Sequence, residues 1–462
     1  LIGALAVAFV LRVAAPLVAL AVATPEPQFR EPDSAGYVRA AEQLWNTGRL
    51  GTPQRPNFVR TPGYPLLLVP GVATGYVEGV TISLQIVLAC AAVFFVYQTA
   101  LVACRDERAA LAAAWLTACE PVSVVYASKL LTESSFATFL AAALWLLARY
   151  AQGRRWGDLL AAAVVMAAAA YIRPIAYFLP LWTGLAMLAV FWRTEVNRRR
   201  LLVQAAAFVS LAILLIAPWQ IRNFVAAGYG GFAAISDVNL YYYEALPVLA
   251  DERGMAPEEA DDMRIEEGEG SEANYLRKHP EQRDWPPAER YRFLRREAMR
   301  LIRSDPLRFA RLHVAGIIHM LTDSGRNGWL SFFRLGDTSK PAQPLPSRPF
   351  WQRLTTALAE KPVVLAIHGL LATVLAIYLG LAVVGLVSPT SRTPGMLLVL
   401  AVAAYLVVLS GGEAAYHRFR VPLVPVICLT AGQGFALLVR ARPGRHAEPH
   451  APRRDSRAPA RG

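Results

Sequence analysis

The chain has 462 residues, 55% of them hydrophobic, and carries a formal charge of +13. So apolar a composition excludes an ordinary soluble domain and indicates a multi-pass membrane protein. The charge, nearly all arginine, sits largely in short loops between apolar runs, where it orients helices in a bilayer, and this argues against nucleic-acid binding.

Apolar runs lie near 1–24, 79–103, 108–127, 130–150, 158–173, 175–192, 201–221, 362–387, 394–411 and 419–440. A span takes roughly 20 apolar residues, so these runs predict an all-α membrane fold of about ten transmembrane helices. The first run is longer than the core of a signal peptide and lacks a clear cleavage site. Arg12 is an unusual charge inside it. Arg105 and Arg108, Arg154 and Arg155, Arg193 with Arg198–Arg200, Arg392 and the basic tail after Arg440 occupy alternate connections. The excess of positive charge predicts that all of these are cytoplasmic, leaving the loop around Asp33 and the long segment 222–360 outside.

This divides the chain into an N-terminal membrane bundle (1–221) with a first outer loop (25–78), an outer segment (222–361), C-terminal membrane helices (362–440) and a basic tail (441–462). The tail, rich in Pro, Arg and Ala, is expected to be disordered. Within the outer segment, 251–300 is rich in Glu, Asp and Arg and predicts exposed helices of a small domain. The stretch 306–321 carries Arg308, Arg311, His313 and His319 and predicts an amphipathic helix at the interface rather than a span. Cys90, Cys104, Cys119 and Cys428 have no metal-ligand spacing and read as buried free thiols. No His/Asp/Glu cluster has such spacing either, so neither a metal nor another cofactor is expected.

The chemistry-bearing residues gather at the outer connections. Asp33 in Glu31-Pro32-Asp33-Ser34 either caps the following helix or takes a proton from a hydroxyl. Glu31 is expected to be solvated. Arg60 opens Arg60-Thr61-Pro62-Gly63-Tyr64-Pro65, where a guanidinium pairs with a phosphate, or else with headgroups or a carboxylate. Glu133 begins the fourth helix, Arg173 ends the fifth, Arg222 follows Pro218-Trp219, and His417, Arg418 and Arg420 precede the last helix. Singly, each reads equally as an interface anchor; together they place acidic and basic groups on one face.

These motifs resemble the family 39 glycosyltransferases: Asp33-Ser34-x-x-Tyr37, then Arg60-x-Pro62-Gly63-Tyr64-Pro65, Thr132-Glu133, Arg173-Pro174, Pro218-Trp219-x-x-Arg222-Asn223 and Arg418-Phe419-Arg420-x-Pro422. That family comprises membrane enzymes of the GT-C fold, related to protein O-mannosyltransferases and aminoarabinose transferases. Many relatives carry Asp-Glu where this chain has Asp33-Ser34, so the likeness is to the single-Asp bacterial branch. The resemblance implies an inverting transferase of the cytoplasmic membrane, acting on its outer face. A sugar would pass from a polyprenyl-phosphate donor to a hydroxyl of a lipid, glycan or protein acceptor. Asp33 would be the general base, and Arg60, Tyr64, Glu133, Arg173, Arg222, Arg418 and Arg420 would bind substrate. The rival readings are a transporter or flippase, which would keep polar groups near the bilayer midplane, and a surface-polysaccharide polymerase or ligase.

Overall fold

The computed structural model describes residues 1–23, 28–52, 55–335 and 362–441. Among these, every named element is a helix, joined by loops and one isolated bridge between Gly51 and Pro56. Seven helices are long and apolar enough to cross a bilayer: Ile2–Val22, Val77–Cys104, Thr132–Gly153, Pro174–Phe191, Arg198–Ala227, Pro362–Leu386 and His417–Arg440. Trp156–Ile172 and Pro394–Leu409, expected as spans, are apolar but shorter.

The run 108–127 is not one helix. It breaks at Glu120 into Glu107–Cys119 and Pro121–Tyr126, because Pro121 cannot donate to the preceding turn and Glu120 instead accepts from the backbone N–H of Ser123. The break explains Arg12. Its guanidinium, buried between the first helix and this one, donates to the freed carbonyls of Thr117 and Ala118 at 3.2 and 2.9 Å, to Ala8 O and to Ser123 Oγ. A charge in the apolar layer is tolerated because it satisfies backbone groups that nothing else reaches.

The bundle packs through small residues. The helices 77–104, 132–153 and 156–172 bury alanine after alanine against one another, letting backbones approach where lipid supplies no hydrophobic drive. Helix Arg198–Ala227 runs past the expected boundary at 221, so Arg222 and Asn223 lie within it rather than in a loop. Beyond it, residues 235–304 fold into short helices around their own core, including Tyr241, Tyr242, Leu246, Tyr275 and Leu294. Helix Pro306–Thr322 lies between this unit and the turn at 408–420. It is amphipathic, with Leu307, Val314 and Ile318 exposed and Gly316 pressed on the backbone of Gly412. Of the tail expected to be disordered, 442–462 lies outside the described residues.

Candidate active site

Asp33 is not the cap of its helix. Glu31 occupies that position, and Ser34 does the local work: its hydroxyl accepts from the Glu31 N–H at 2.9 Å and donates to Leu130 O at 2.8 Å. Leu130 N in turn donates to Phe29 O at 2.9 Å. The loop is thereby pinned on both sides of Asp33, and the Asp33 carboxylate stays free for charged partners.

Those partners arrive from distant parts of the chain. Arg60 Nη2 donates to Asp33 Oδ1 at 2.8 Å, and Arg418 Nη2 donates to Asp33 Oδ2 at 2.9 Å. Arg418 also donates through Nε to Glu133 Oε1 at 2.5 Å, and the same oxygen takes Arg173 Nη1 at 2.5 Å. Arg173 further donates to Thr132 Oγ1. The result is a chain of alternating charges, Arg60–Asp33–Arg418–Glu133–Arg173, three guanidiniums against two carboxylates. Glu133 is wholly buried, and its second oxygen has no hydrogen-bond partner. The Asp33 side chain keeps 37% of its surface exposed. Burial raises the Asp33 pKa, but the fields and hydrogen bonds of Arg418 and Arg60 outweigh it and hold the carboxyl at about 2. For Arg60, burial lowers the pKa, and the neighbouring Tyr37 and the Asp33 carboxylate more than restore it, so the guanidinium stays charged.

The motif around Arg60 builds this geometry. Gly63 opens a helix whose backbone lies against Tyr171 and Ile172, immediately before Arg173; a Cβ there would fall 2.6 Å from Tyr171 O. The Arg60 guanidinium lies 4.3 Å from the centre of the Tyr37 ring, which meets Tyr64 edge-on at 4.9 Å.

Three residues expected to bind substrate lie elsewhere. Tyr64 is fully buried, and its hydroxyl donates to Gln85 Oε1 at 2.8 Å; Gln85 holds the carbonyls of Ala127 and Lys129. Tyr64 thus supports Tyr37 from beneath. Arg222 donates to Asn57 O and Leu50 O, fixing the 48–62 loop, and stands beside Trp219 in the wall of a cavity of about 490 Å³. Arg420, two residues from Arg418, donates instead to the carbonyls of Met320, Leu321 and Asp323 at the end of helix 306–322. Arg418 and Arg420 therefore face different partners.

Other groups escaped the sequence reading. Glu31 is not solvated: its Oε1 accepts from the buried Lys129 Nζ at 2.5 Å. Burial lowers the Lys129 pKa, and Glu31 offsets part of that. One of only four lysines, set among apolar residues 124–131, is the signal that would have exposed this pair. Asp323 accepts from both the backbone N–H and the ring Nδ1 of His417, at 3.1 and 2.6 Å, while His417 Nε2 lies 3.3 Å from the Tyr126 hydroxyl. These residues, with Arg418, contribute to the wall of a cavity of about 580 Å³. Arg418 belongs to both the charged chain and this cavity. No group of metal-ligating side chains occurs among the described residues.

Residues 68–221 match a family described as dolichyl-phosphate-mannose-protein mannosyltransferase, a stretch that contains Glu133 and Arg173. No curated protein matches the chain. Among solved structures, it is similar to the oligosaccharyltransferase of Archaeoglobus fulgidus tethered with an acceptor peptide, at 13% identity and a TM-score of 0.50, covering 94% of this chain and 50% of that one. Another structure of that organism's enzyme, AglB in complex with an inhibitory peptide and a dolichol-phosphate, gives 14% identity and a TM-score of 0.49 over 94% of this chain and 50% of that one. ArnT from Cupriavidus metallidurans bound to undecaprenyl phosphate gives 14% identity and a TM-score of 0.40 over 93% of this chain and 78% of that one. The chain spans about half the length of the archaeal oligosaccharyltransferase. It is a multi-pass helical membrane protein of the GT-C fold that carries the mannosyltransferase family's sequence pattern across residues 68–221.

Proposed function

We propose that the chain is an inverting glycosyltransferase that moves a sugar from a polyprenyl-phosphate carrier to an acceptor hydroxyl on the outer face of a bacterial cytoplasmic membrane. One observation carries this reading: an accessible carboxylate, Asp33, held directly between two guanidiniums, Arg60 and Arg418, at the end of a membrane bundle. The family matched over 68–221 points the same way.

In this mechanism the donor phosphate competes with Asp33 for Arg60 and Arg418. As the arginines turn to the phosphate, the Asp33 carboxylate loses the charges that depress its pKa and becomes a better base. It then takes the proton of the acceptor hydroxyl, whose oxygen bonds to the anomeric carbon on the face opposite the phosphate. The bond from that carbon to the phosphate oxygen breaks with its electron pair left on the phosphate. The leaving group is already a stable anion, so cationic stabilisation serves it and a general acid is unnecessary. Glu133 and Arg173 act one step removed, fixing the direction of Arg418. The sugar is a hexose or a pentose.

The test is sugar transfer from a lipid-phosphate donor in membranes containing Asp33→Asn. The amide preserves the side chain's shape but cannot take a proton, and turnover is expected to fall by about a hundredfold or more. Transfer near the wild-type rate would remove Asp33 from the mechanism.

A further inference from the structure

Helix Pro306–Thr322 grips the segment that leads to Arg418 at four successive turns. His313 Nε2 lies 2.7 Å from Val408 O, and Gly316 rests on the backbone of Gly412. His319 Nδ1 donates to Ala415 O at 2.8 Å, and Asp323 takes the backbone and ring N–H groups of His417. The first of these contacts differs from the rest in the protons it requires. The other ring nitrogen of His313, Nδ1, lies 3.1 Å from Glu244 Oε2, on the unit formed by residues 235–304. A carboxylate and a backbone carbonyl only accept, so both ring nitrogens donate, and only the imidazolium has two N–H groups. His319, bonded through Nδ1 alone among the described residues, is served by a neutral ring.

The surroundings are shaped for that cation. Val408 O is among the last carbonyls of helix Pro394–Leu409, whose final turn has no basic side chain, so His313 supplies the positive charge that a helix C-terminus favours. Gly411 and Gly412 leave room for the pair: a Cβ at 411 would strike the His313 ring and one at 412 the Glu244 carboxylate. Gly412 also has a φ of 105°, which a larger residue resists. The Glu244 hydrogen bond raises the His313 pKa above the ordinary histidine value; burial opposes it and Val408 O adds to it. The charged groups next to this contact are matched elsewhere, Asp251 by Arg308 and Arg311, and Glu413 by Arg264.

We propose that protonated His313 is a positioning residue for Arg418: it clasps the 235–304 unit to the end of helix Pro394–Leu409, and losing its proton loosens the 408–418 segment whose last residue holds Asp33. The link to turnover rests on the role proposed above for Arg418; the clasp itself does not. A group whose folded pKa is raised stabilises fully below its unfolded value and loses that contribution as pH rises through the folded one. The clasp therefore opens on the alkaline side of the ordinary histidine range.

Hydrogen–deuterium exchange with mass spectrometry, on full-length protein in detergent across a pH series, reads both halves of the proposal. Exchange at the imidazole carbon between the ring nitrogens gives the His313 midpoint. Amide exchange, corrected for its intrinsic pH dependence, gives the protection of 408–420. Wild type is expected to show a midpoint above that of an unfolded histidine, with protection of 408–420 falling several-fold through the same pH. Glu244→Gln, which keeps the shape and removes the charge, is expected to move both transitions to lower pH. His313→Gln is expected to leave 408–420 weakly protected at every pH, with no transition. An ordinary midpoint in wild type that Glu244→Gln does not move would overturn the imidazolium. Protection in His313→Gln that still falls at the wild-type pH would overturn the coupling to the Arg418 segment. In the transfer assay, kcat/KM is expected to carry an alkaline limb at the His313 midpoint, and a limb unmoved in both variants would overturn the positioning role. A wild type without transfer at any pH would strike the transferase reading alone, because the exchange measurements still decide the clasp.

Discussion

Arg418 holds two carboxylates at once, Nη2 on Asp33 and Nε on Glu133, and only a guanidinium can direct two donors so far apart in one rigid plane. Lysine keeps the charge and loses the fork. Arg418→Lys is therefore expected to lower kcat/KM by about ten- to a hundredfold, and Arg418→Ala by more, in a steady-state assay with varied lipid donor. Equal activity of Arg418→Lys and wild type would show that charge alone suffices. Asp33 makes a separate prediction about pH. Its pKa is depressed from 3.8 to about 2, so the native ion pairs persist at every pH above the ordinary carboxylate range. They are lost only as pH falls through about 2, and the stability they contribute fades between those two values. Because kcat/KM reports groups of the free enzyme, its acid limb is expected to show no ionisation near pH 4 from Asp33. An acid limb centred near 4 that disappears in Asp33→Asn, with transfer retained, would contradict this.

At the scale of elements, the site depends on close backbone contact. The helix that begins at Gly63 lies against Tyr171 and Ile172, and through them fixes Arg173 beneath Glu133. Gly63→Ala places a methyl group 2.6 Å from a backbone oxygen that cannot swing aside. It is expected to destabilise the protein by about 1–3 kcal/mol and to lower activity with it. Gly79, in the helix Val77–Cys104, has nothing within 4 Å of its Cβ position. Gly79→Ala is accordingly expected to leave stability unchanged or slightly raised, since alanine favours the helix. The two melting temperatures in one detergent check the pair; equal shifts would mean that the contact at 63 does not bear on stability. Much of this was legible beforehand. The residue types, their spacing and their shared position at helix ends marked Asp33, Arg60, Glu133, Arg173 and Arg418 as a group. Long-range partner choice was not legible. Whether Arg418 or Arg420 would point at Asp33 depends on where the end of helix 306–322 leaves its carbonyls, and no local pattern states that. Likewise, an Asp at the start of a helix is compatible with a cap, and no local pattern states that Glu31 takes that position with Ser34 as its capping-box partner.

Across the whole molecule, charge falls into two groups at opposite ends of the helix Thr132–Gly153. Glu133, with Asp33, Arg60, Arg173 and Arg418, lies at its start. Past its other end, Arg154 pairs with Glu195, and Gln204 reaches Arg154 O. Twenty-two residues separate the ends, roughly 33 Å at 1.5 Å per residue, the thickness of a bilayer's hydrocarbon core. Arg440 joins Asp106 at 2.9 Å, and Thr393 Oγ1 donates to Ala103 O, so other connections counted as basic also have partners among one another. Arg12, the one unusual charge inside an apolar run, is occupied by backbone carbonyls. The polar chemistry is thus terminal rather than central, which fits a reaction at the membrane surface better than passage through it. What distinguishes inside from outside is the arginine excess at the Arg154 end. That orientation is checked with Lys278→Cys, on the unit formed by 235–304, and Arg199→Cys, at the start of helix Arg198–Ala227. Both positions are exposed, and each is placed in a background where the native cysteines are serine. A membrane-impermeant maleimide is expected to label position 278 in intact cells and position 199 only after permeabilisation. The reverse pattern would put the Asp33 cluster in the cytoplasm, where soluble sugar nucleotides are available and a lipid-carried donor has no evident advantage.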